Sequence, residues 1–191
     1  MRINAPIVIV PVSVIGLGNV FLGDDGFGPL AVETFRCEYA VEPVAVEVLD
    51  LGTPGLDLAP YLYGRKLVII VDAVHAALPA GTLSIFSEHD FASERAQLRI
   101  TGHDPGLWES LAHLRLSGEA PQELIVLGVS PESCGFAEQI SPKLLSTASE
   151  AAATIAQLLM ERGVGCNLRN EAATPNLWWL PAVQVNDAAV A

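Results

Sequence analysis

Short runs of consecutive apolar and β-branched residues dominate this chain and constrain its fold. The runs cover residues 12–16, 46–51, 67–73 and 124–128. Strands that are buried on both faces, as in a parallel sheet covered by helices, have such largely apolar sequences. The sequence therefore predicts an α/β fold built on a mostly parallel sheet.

Segments with helical spacing of apolar residues connect these runs. The spacing occurs in three sets, Phe27, Ala31 and Phe35; Leu107, Leu111 and Leu114; and Leu144, Ala148, Ala151, Ile155 and Leu158. Apolar residues three or four positions apart form one face of a helix, and that face packs on a sheet. We expect helices on both faces of the sheet.

One further strand is expected to run against the others. Residues 81–86 follow the third apolar run so closely that no crossover helix fits between them. Parallel strands need such a crossover, whereas antiparallel strands are joined by a short turn. We therefore predict an antiparallel strand that forms a hairpin with the third strand, which makes the sheet mixed.

The periodicity ends near Gly163, where the domain is expected to end as well. We predict one α/β domain over residues 1–162 and an appended apolar tail over residues 163–191. Trp178, Trp179 and Leu180 cluster in this tail. Burial of such an apolar cluster is favourable, and a short tether keeps it close to its own domain. The tail is expected to fold back on the domain.

Charge and cysteine content limit the partners and the compartment. Lys and Arg number 10 against 22 Asp and Glu, which gives a formal net charge of −12. This charge disfavours nucleic acids and anionic membranes as partners, and no run reaches the roughly 18 apolar residues of a membrane span. Cys37, Cys134 and Cys166 are odd in number and widely spaced. Because disulfide frameworks use paired cysteines, we predict a cytoplasmic protein.

A glycine-rich strand-to-helix turn over residues 16–28 is the most distinctive motif. Such turns often hold a phosphate at the helix N-terminus, and Asp50 lies where a dinucleotide-binding protein has its ribose-binding acid. However, Phe21 replaces the third glycine of the dinucleotide motif. Asp24 and Asp25 also place negative charge where the phosphates would bind. A cation fits this position better than an anion.

Three residues form the candidate site. Asp24 is expected to cap the helix, whereas Asp25 is the candidate for function. Asp72 ends the most apolar run, and His103 lies between Gly and Asp directly before a helix. Because the carboxyl ends of parallel strands lie at one edge of a sheet, Asp25, Asp72 and His103 can meet there. Two carboxylates and one imidazole form an incomplete coordination sphere for a divalent metal ion.

Taken in order, five motifs resemble those of the nickel-iron (NiFe) hydrogenase maturation proteases. They are residues 16–28, 50–55, 68–73, His103 and 127–133. The resemblance implies a three-layer α/β/α fold with a five-stranded sheet. It also implies an endopeptidase that removes the C-terminal extension of a hydrogenase large-subunit precursor after nickel insertion. Its metal-contacting and catalytic positions correspond to Asp25, Asp72 and His103.

The chain departs from the family pattern at two positions, and two alternative functions are considered beside the protease. Asp25 stands where Glu is often found, and Leu51 stands where Gly is common. The resemblance implies that the precursor supplies the nickel, with other divalent metals possible in vitro. Asp50 and Glu132 are expected either to orient the site residues or line the peptide groove, or to cap turns. The protein is expected to be a monomer or a weak homodimer. The alternatives are a noncatalytic nickel-sensing maturation chaperone and a Rossmann-like nucleotide-binding enzyme.

Overall fold

The computed structural model describes residues 10–42, 45–93, 99–100, 104–171 and 173–180. The strands are β1 (Val12–Leu17), β2 (Tyr39–Val41), β3 (Val46–Gly52), β4 (Leu67–His75), β5 (Leu83–Ser87), β6 (Arg99–Ile100), β7 (Glu123–Val129) and β8 (Cys166–Leu168). The helices are α1 (Phe27–Glu38), α2 (Ala59–Leu62), α3 (Glu88–Ser93), α4 (Asp104–Ser117) and α5 (Pro142–Glu161), with 3-10 helices at Gly23–Gly26 and Gly55–Leu58.

The main sheet has the strand order β3-β1-β4-β7-β5. The first four strands are parallel, and β5 runs antiparallel to β7. The short strand β6 adds an antiparallel ladder to the end of β4. This arrangement confirms the predicted five-stranded, mostly parallel sheet with one antiparallel strand.

The predicted antiparallel strand forms, but the prediction that it pairs with the third strand is wrong. β5 pairs with β7, not with β4, because β1 and β7 already occupy the two edges of β4. The connection passes the end of β7, where Gly81 N–H donates to the Ser130 carbonyl (2.8 Å) and Ser130 N–H donates to the Thr82 carbonyl (3.0 Å). The short connection predicted the antiparallel direction of β5, but it did not predict which neighbouring strand had a free edge.

Helices cover both faces of the sheet, as the three-layer prediction requires. On one face, α1 and α5 bury Phe27, Phe35 and Ile155 against β1, β4 and β7. On the other face, Leu62 of α2 and Leu111 of α4 lie in a second buried cluster with residues of the same strands. The alternating side-chain directions of each strand supply both clusters.

Two glycines allow the start of α1 to approach the sheet closely. A Cβ atom at Gly28 would lie 2.0 Å from the Leu17 carbonyl oxygen and 2.4 Å from that of Val71. A Cβ atom at Gly16 would lie 2.5 Å from the Gly28 carbonyl oxygen. Real Cβ atoms do not approach backbone atoms this closely, so a glycine is required at each position. The contact places the 3-10 helix before α1 against the end of β4.

The tail folds back on the domain over its described residues. β8 pairs antiparallel with β2, and Leu177 is buried in the cluster under α1 and α5. Trp179 and Leu180 pack against the same cluster. The expected return of the tail is thus confirmed up to residue 180, residues 181–191 lie outside the described part, and the domain boundary at residue 162 stays a prediction. Within the described ranges, no helix is long and apolar enough to cross a membrane.

We predict that Gly28→Ala strongly destabilises the protein. Alanine is favoured over glycine in a helix by about 1 kcal/mol, so helix propensity alone would increase stability. The clash with two backbone carbonyls reverses the sign, and we expect a loss of about 3 kcal/mol, at the upper end for overpacked cores. Urea denaturation measures this loss. The control Gly165→Ala adds a Cβ in open space, and equal stability of the two variants would contradict the close contact.

Candidate active site at the carboxyl edge of the sheet

Asp25 lies in the 3-10 helix that links β1 to α1. Its side chain is buried, and the Asn19 N–H donates a hydrogen bond of 2.7 Å to its Oδ2. Gly18, with φ +142°, allows this turn, because a Cβ there would lie 1.9 Å from the Asp25 carbonyl oxygen. The glycine-rich segment therefore folds around Asp25 and fixes the orientation of its carboxylate.

Asp72 lies near the carboxyl end of β4, where it pairs in register with Gly128 of β7. It is fully buried in the middle of the sheet, and the Ala73 N–H donates a hydrogen bond of 2.7 Å to its Oδ1. A buried carboxylate without compensation costs several kcal/mol, on the order of the desolvation of an ion. Its burial at this edge therefore requires compensating partners, of which the Ala73 N–H is one.

The structure brings the two carboxylates to one region around Cys134. The 3-10 helix that carries Asp25 contacts β4, which carries Asp72. Burial is the first cause that raises the pKa of the Cys134 thiol to about 12. The negative charges of Asp25, Asp24 and Asp72 act in the same direction. The thiol is therefore protonated at neutral pH and adds no further negative charge to this region.

Cys134 is not among the site residues predicted from the sequence. The residue directly follows the motif of residues 127–133, and this adjacency was the one available signal. Its environment depends on long-range contacts, because it comes from the loop after β7 while the acids come from the segment before α1 and from β4. No periodic pattern in the sequence reports such a contact.

His103 lies outside the described residues, so its place beside the two acids stays a prediction. It directly precedes α4, and the first turn of α4 is packed at the same edge of the sheet. A Cβ at Gly106 would lie 2.5 Å from the carbonyl oxygen of Gly55, which follows β3. Within the described ranges, no group of three His, Cys, Asp or Glu residues is arranged to hold a metal ion.

The structure corrects the expected role of Asp24. Neither the 3-10 helix nor α1 has a side-chain hydrogen bond at its N-cap. Instead, the buried Asp24 carboxylate accepts hydrogen bonds from backbone N–H groups of the segment after β7, from Glu132 at 2.7 Å, Ser133 at 3.3 Å and Ser141 at 2.7 Å. Asp24 therefore anchors that segment and the start of α5 to the glycine-rich turn. It is structural, as expected, but by tertiary contacts and not by capping.

Asp50 and Glu132 make local or backbone contacts. The exposed Asp50 accepts a hydrogen bond of 3.0 Å from the Gly52 N–H, which closes the turn after β3. Glu132 has an exposed side chain and contacts Asp24 through its backbone. The turn role is supported for Asp50, whereas the described contact of Glu132 joins it to a residue distant in the chain and closes no turn.

Comparison with known proteins identifies the family. The sequence model of a family described as hydrogenase maturation protease matches residues 29–162. The chain belongs to the hydrogenase maturation protease family. It is 32% identical over 154 residues to the Hydrogenase 2 maturation protease of Escherichia coli, covering 80% of this chain and 93% of that protein. It is also 30% identical over 160 residues to the Hydrogenase expression/formation protein HupD of Bradyrhizobium diazoefficiens, covering 83% of each.

A solved structure of a related protein has the same fold as this chain. The hydrogenase maturating endopeptidase HybD from E. coli superimposes with a TM-score of 0.75 at 31% identity, covering 83% of this chain and 97% of that chain. The resemblance found in the sequence motifs is therefore confirmed, with its fold and its class of enzyme, a hydrolase of the protease type. The roles of Asp25, Asp72 and His103 stay predictions.

We predict that Asp24→Ala lowers stability more than the loss of a helix cap does. Three backbone N–H groups lose a carboxylate acceptor, and each hydrogen bond to a charged group contributes about 1.5–3 kcal/mol, of which water restores part. We expect the free energy of unfolding to fall by roughly 2–4 kcal/mol, measured by chemical denaturation. The control Asp57→Ala removes an exposed acid. If both variants were equally stable, Asp24 would not be an anchor.

We also predict that Cys134 resists alkylation in the folded protein. At pH 8, a thiol with a pKa of about 12 carries roughly a thousandfold less reactive thiolate than one at the ordinary value of 9.0. Site-resolved mass spectrometry after iodoacetamide treatment should show slow modification in the native state and fast modification in urea. Asp25→Asn should accelerate the native reaction, whereas Asp57→Asn should not. Equal rates in the native and denatured protein would contradict the described environment.

Proposed function

We propose that this protein is an endopeptidase that removes the C-terminal extension of a NiFe hydrogenase large-subunit precursor after nickel insertion. Membership of the hydrogenase maturation protease family supports this function. Its similarity to a Hydrogenase 2 maturation protease and to a hydrogenase maturating endopeptidase supports it as well. The precursor is the protein partner in this proposal, and no nucleic acid or membrane takes part.

The observation that carries the proposal is the convergence of two buried carboxylates from different elements at one edge of the sheet. Asp25 and Asp72 are each oriented by a backbone N–H. Two negative charges in one buried region repel each other, and a divalent cation relieves that repulsion. A nickel ion that arrives with the precursor supplies this cation. The protein then distinguishes nickel-loaded from nickel-free precursor by electrostatics.

His103 completes the proposed set. Its imidazole adds a nitrogen donor to the two carboxylates, and this mixture suits a borderline divalent ion such as nickel. The set leaves coordination positions that the precursor fills. The proposal accordingly assigns Asp25, Asp72 and His103 to nickel recognition and to catalysis, with the metal treated as part of the substrate.

Peptide hydrolysis in this arrangement needs one activated water molecule. The water oxygen attacks the scissile carbonyl, the C–N bond breaks, and a proton passes to the leaving amine. Two routes activate the water, removal of its proton by a carboxylate acting as a general base or polarisation by the bound metal. Both routes require Asp25 and Asp72 in their backbone-held orientations.

We also propose a cytoplasmic location and a monomer or weak homodimer. The three cysteines are free thiols, and none forms a disulfide within the described part of the chain. Such thiols persist in a reducing compartment.

A noncatalytic chaperone that senses nickel would use the same ligands without cleaving the precursor, so a cleavage assay separates the two functions.

We predict that replacing Asp25, Asp72 or His103 with alanine abolishes processing. Each variant loses one of the groups that hold the precursor's nickel, while the sheet and its helices stay in place. Purified protein is incubated with precursor, with and without nickel, and the product is measured by intact mass spectrometry. Wild-type protein and the control Glu150→Ala, an exposed acid on α5, should cleave nickel-loaded precursor only.

Three outcomes would count against the proposal. No cleavage by wild-type protein would favour the chaperone, and cleavage of nickel-free precursor would remove the metal from recognition. Normal cleavage by two of the three variants would overturn the residue assignment.

A further inference from the structure

The tail of the chain runs along α1 toward the candidate active site. Three backbone N–H groups of the tail donate hydrogen bonds to α1, in the pairs Arg169 to Glu38 at 2.7 Å, Ala173 to Cys37 at 3.2 Å and Asn176 to Glu33 at 2.9 Å. The donors advance along the tail while the acceptors move back along α1. The tail is therefore antiparallel to α1 and ends, in its described part, beside the segment that carries Asp25.

A closed turn at this end presents one tryptophan to solvent. Leu180 N–H donates to the Leu177 carbonyl at 2.9 Å, and the buried Leu177 anchors the turn in the core. Trp178 nevertheless remains 67% exposed. Its ring contacts those of Phe21 at 6.3 Å and Trp179 at 5.7 Å, both in edge-to-face geometry. Because the Trp178 indole is mostly exposed, burial of the core does not explain why its position is fixed.

The exposed tryptophan forms one wall of a pocket of about 380 Å³. The lining includes Gly18, Asn19, Phe21, Asp50, Trp178 and Trp179. The same Asn19 donates its N–H to the Asp25 carboxylate. The pocket therefore adjoins the candidate active site at Asn19. The matched family model ends at residue 162, so the two tryptophans lie outside it.

A second loop extends the aromatic surface. Ala137 N–H donates to the Phe21 carbonyl at 2.9 Å, and Ala137 has a φ of +59° that alanine rarely adopts. This hydrogen bond holds the loop beside the glycine-rich turn, and the adjacent Phe136 is 83% exposed. Exposed aromatic residues that surround a site are typical of interaction surfaces, where rings give large contact areas at low entropic cost.

The chemistry of the pocket favours one kind of occupant. Its volume is at the lower end for ligand sites, which suits one or two amino-acid side chains better than a dinucleotide. Asp50 in the lining and the net charge of −12 disfavour an anion. The aromatic wall favours an apolar side chain. An extended peptide with an apolar side chain fits all three properties.

We propose that the Trp178 turn and Phe21 form a docking pocket for a peptide segment of the precursor close to the scissile bond. This inference rests on the proposed function and names the residues that hold the substrate beside the site. Trp178 binds the segment by aromatic contact and does not touch the reacting atoms. Its loss therefore weakens binding of the precursor and leaves the chemical step intact.

The test uses the full chain and nickel-loaded precursor. Trp178→Ala should raise KM at least about tenfold, as loss of a central aromatic contact does, with kcat within about twofold. Trp178→Phe should restore most of the affinity. The matched control Leu168→Ala removes an apolar side chain of similar exposure, 68%, from the same tail outside the pocket, and it should behave as wild type. Thermal melting confirms that each variant is folded.

Each result either supports or overturns the docking pocket. An unchanged KM in Trp178→Ala, or a lower kcat at unchanged KM, would overturn it. A wild-type dimer that Trp178→Ala dissociates would overturn it as well, since a second copy would then occupy the surface. If wild-type protein fails to cleave, the proposed function fails separately. Calorimetric binding of nickel-loaded precursor to wild type and to Trp178→Ala then decides the inference, with equal affinities contradicting it.

Discussion

The close packing of α1 on the carboxyl ends of β1 and β4 is the contact on which the rest of this structure depends. Gly28 and Gly16 make it possible, because a Cβ at either position would meet backbone atoms at 2.5 Å or less. Side chains of ordinary size would hold the helix farther from the sheet. The 3-10 helix that carries Asp25 would then lose its contact with β4, and the two buried carboxylates would not share one region.

The adjacent acids Asp24 and Asp25 make different contacts in this region. Asp24 points to the segment after β7 and holds three of its backbone N–H groups, whereas Asp25 is held by the Asn19 N–H on the pocket side. The negative charge of both acts on the Cys134 thiol, together with that of Asp72. A region of this charge attracts a cation and repels phosphate. This electrostatic property agrees with the protease family and not with a dinucleotide-binding enzyme.

The tail packs along α1 and contributes Trp178 and Trp179 to the surface beside the candidate active site. Its hydrogen bonds follow α1, the same helix whose N-terminus positions Asp25, so the tail and the acids share one rigid support. Burial of Leu177 provides the anchoring free energy, and the exposed Trp178 is carried with it. Because the anchoring contacts and the exposed ring are separate, the ring is available to a partner without loss of the fold.

The sequence by itself determined the five strands of the main sheet, the helices α1, α4 and α5, and the edge at which Asp25 and Asp72 lie. Apolar runs fixed the parallel strands, helical spacing fixed the two helical layers, and the carboxyl-edge rule brought the two acids together. The strand and helix signals are local, since each depends on residues a few positions apart. The partner of β5, the anchoring role of Asp24, the surroundings of Cys134 and the path of the tail were decided only by the tertiary structure. Each depends on contacts between residues distant in the chain, and such contacts leave no periodic trace in the sequence.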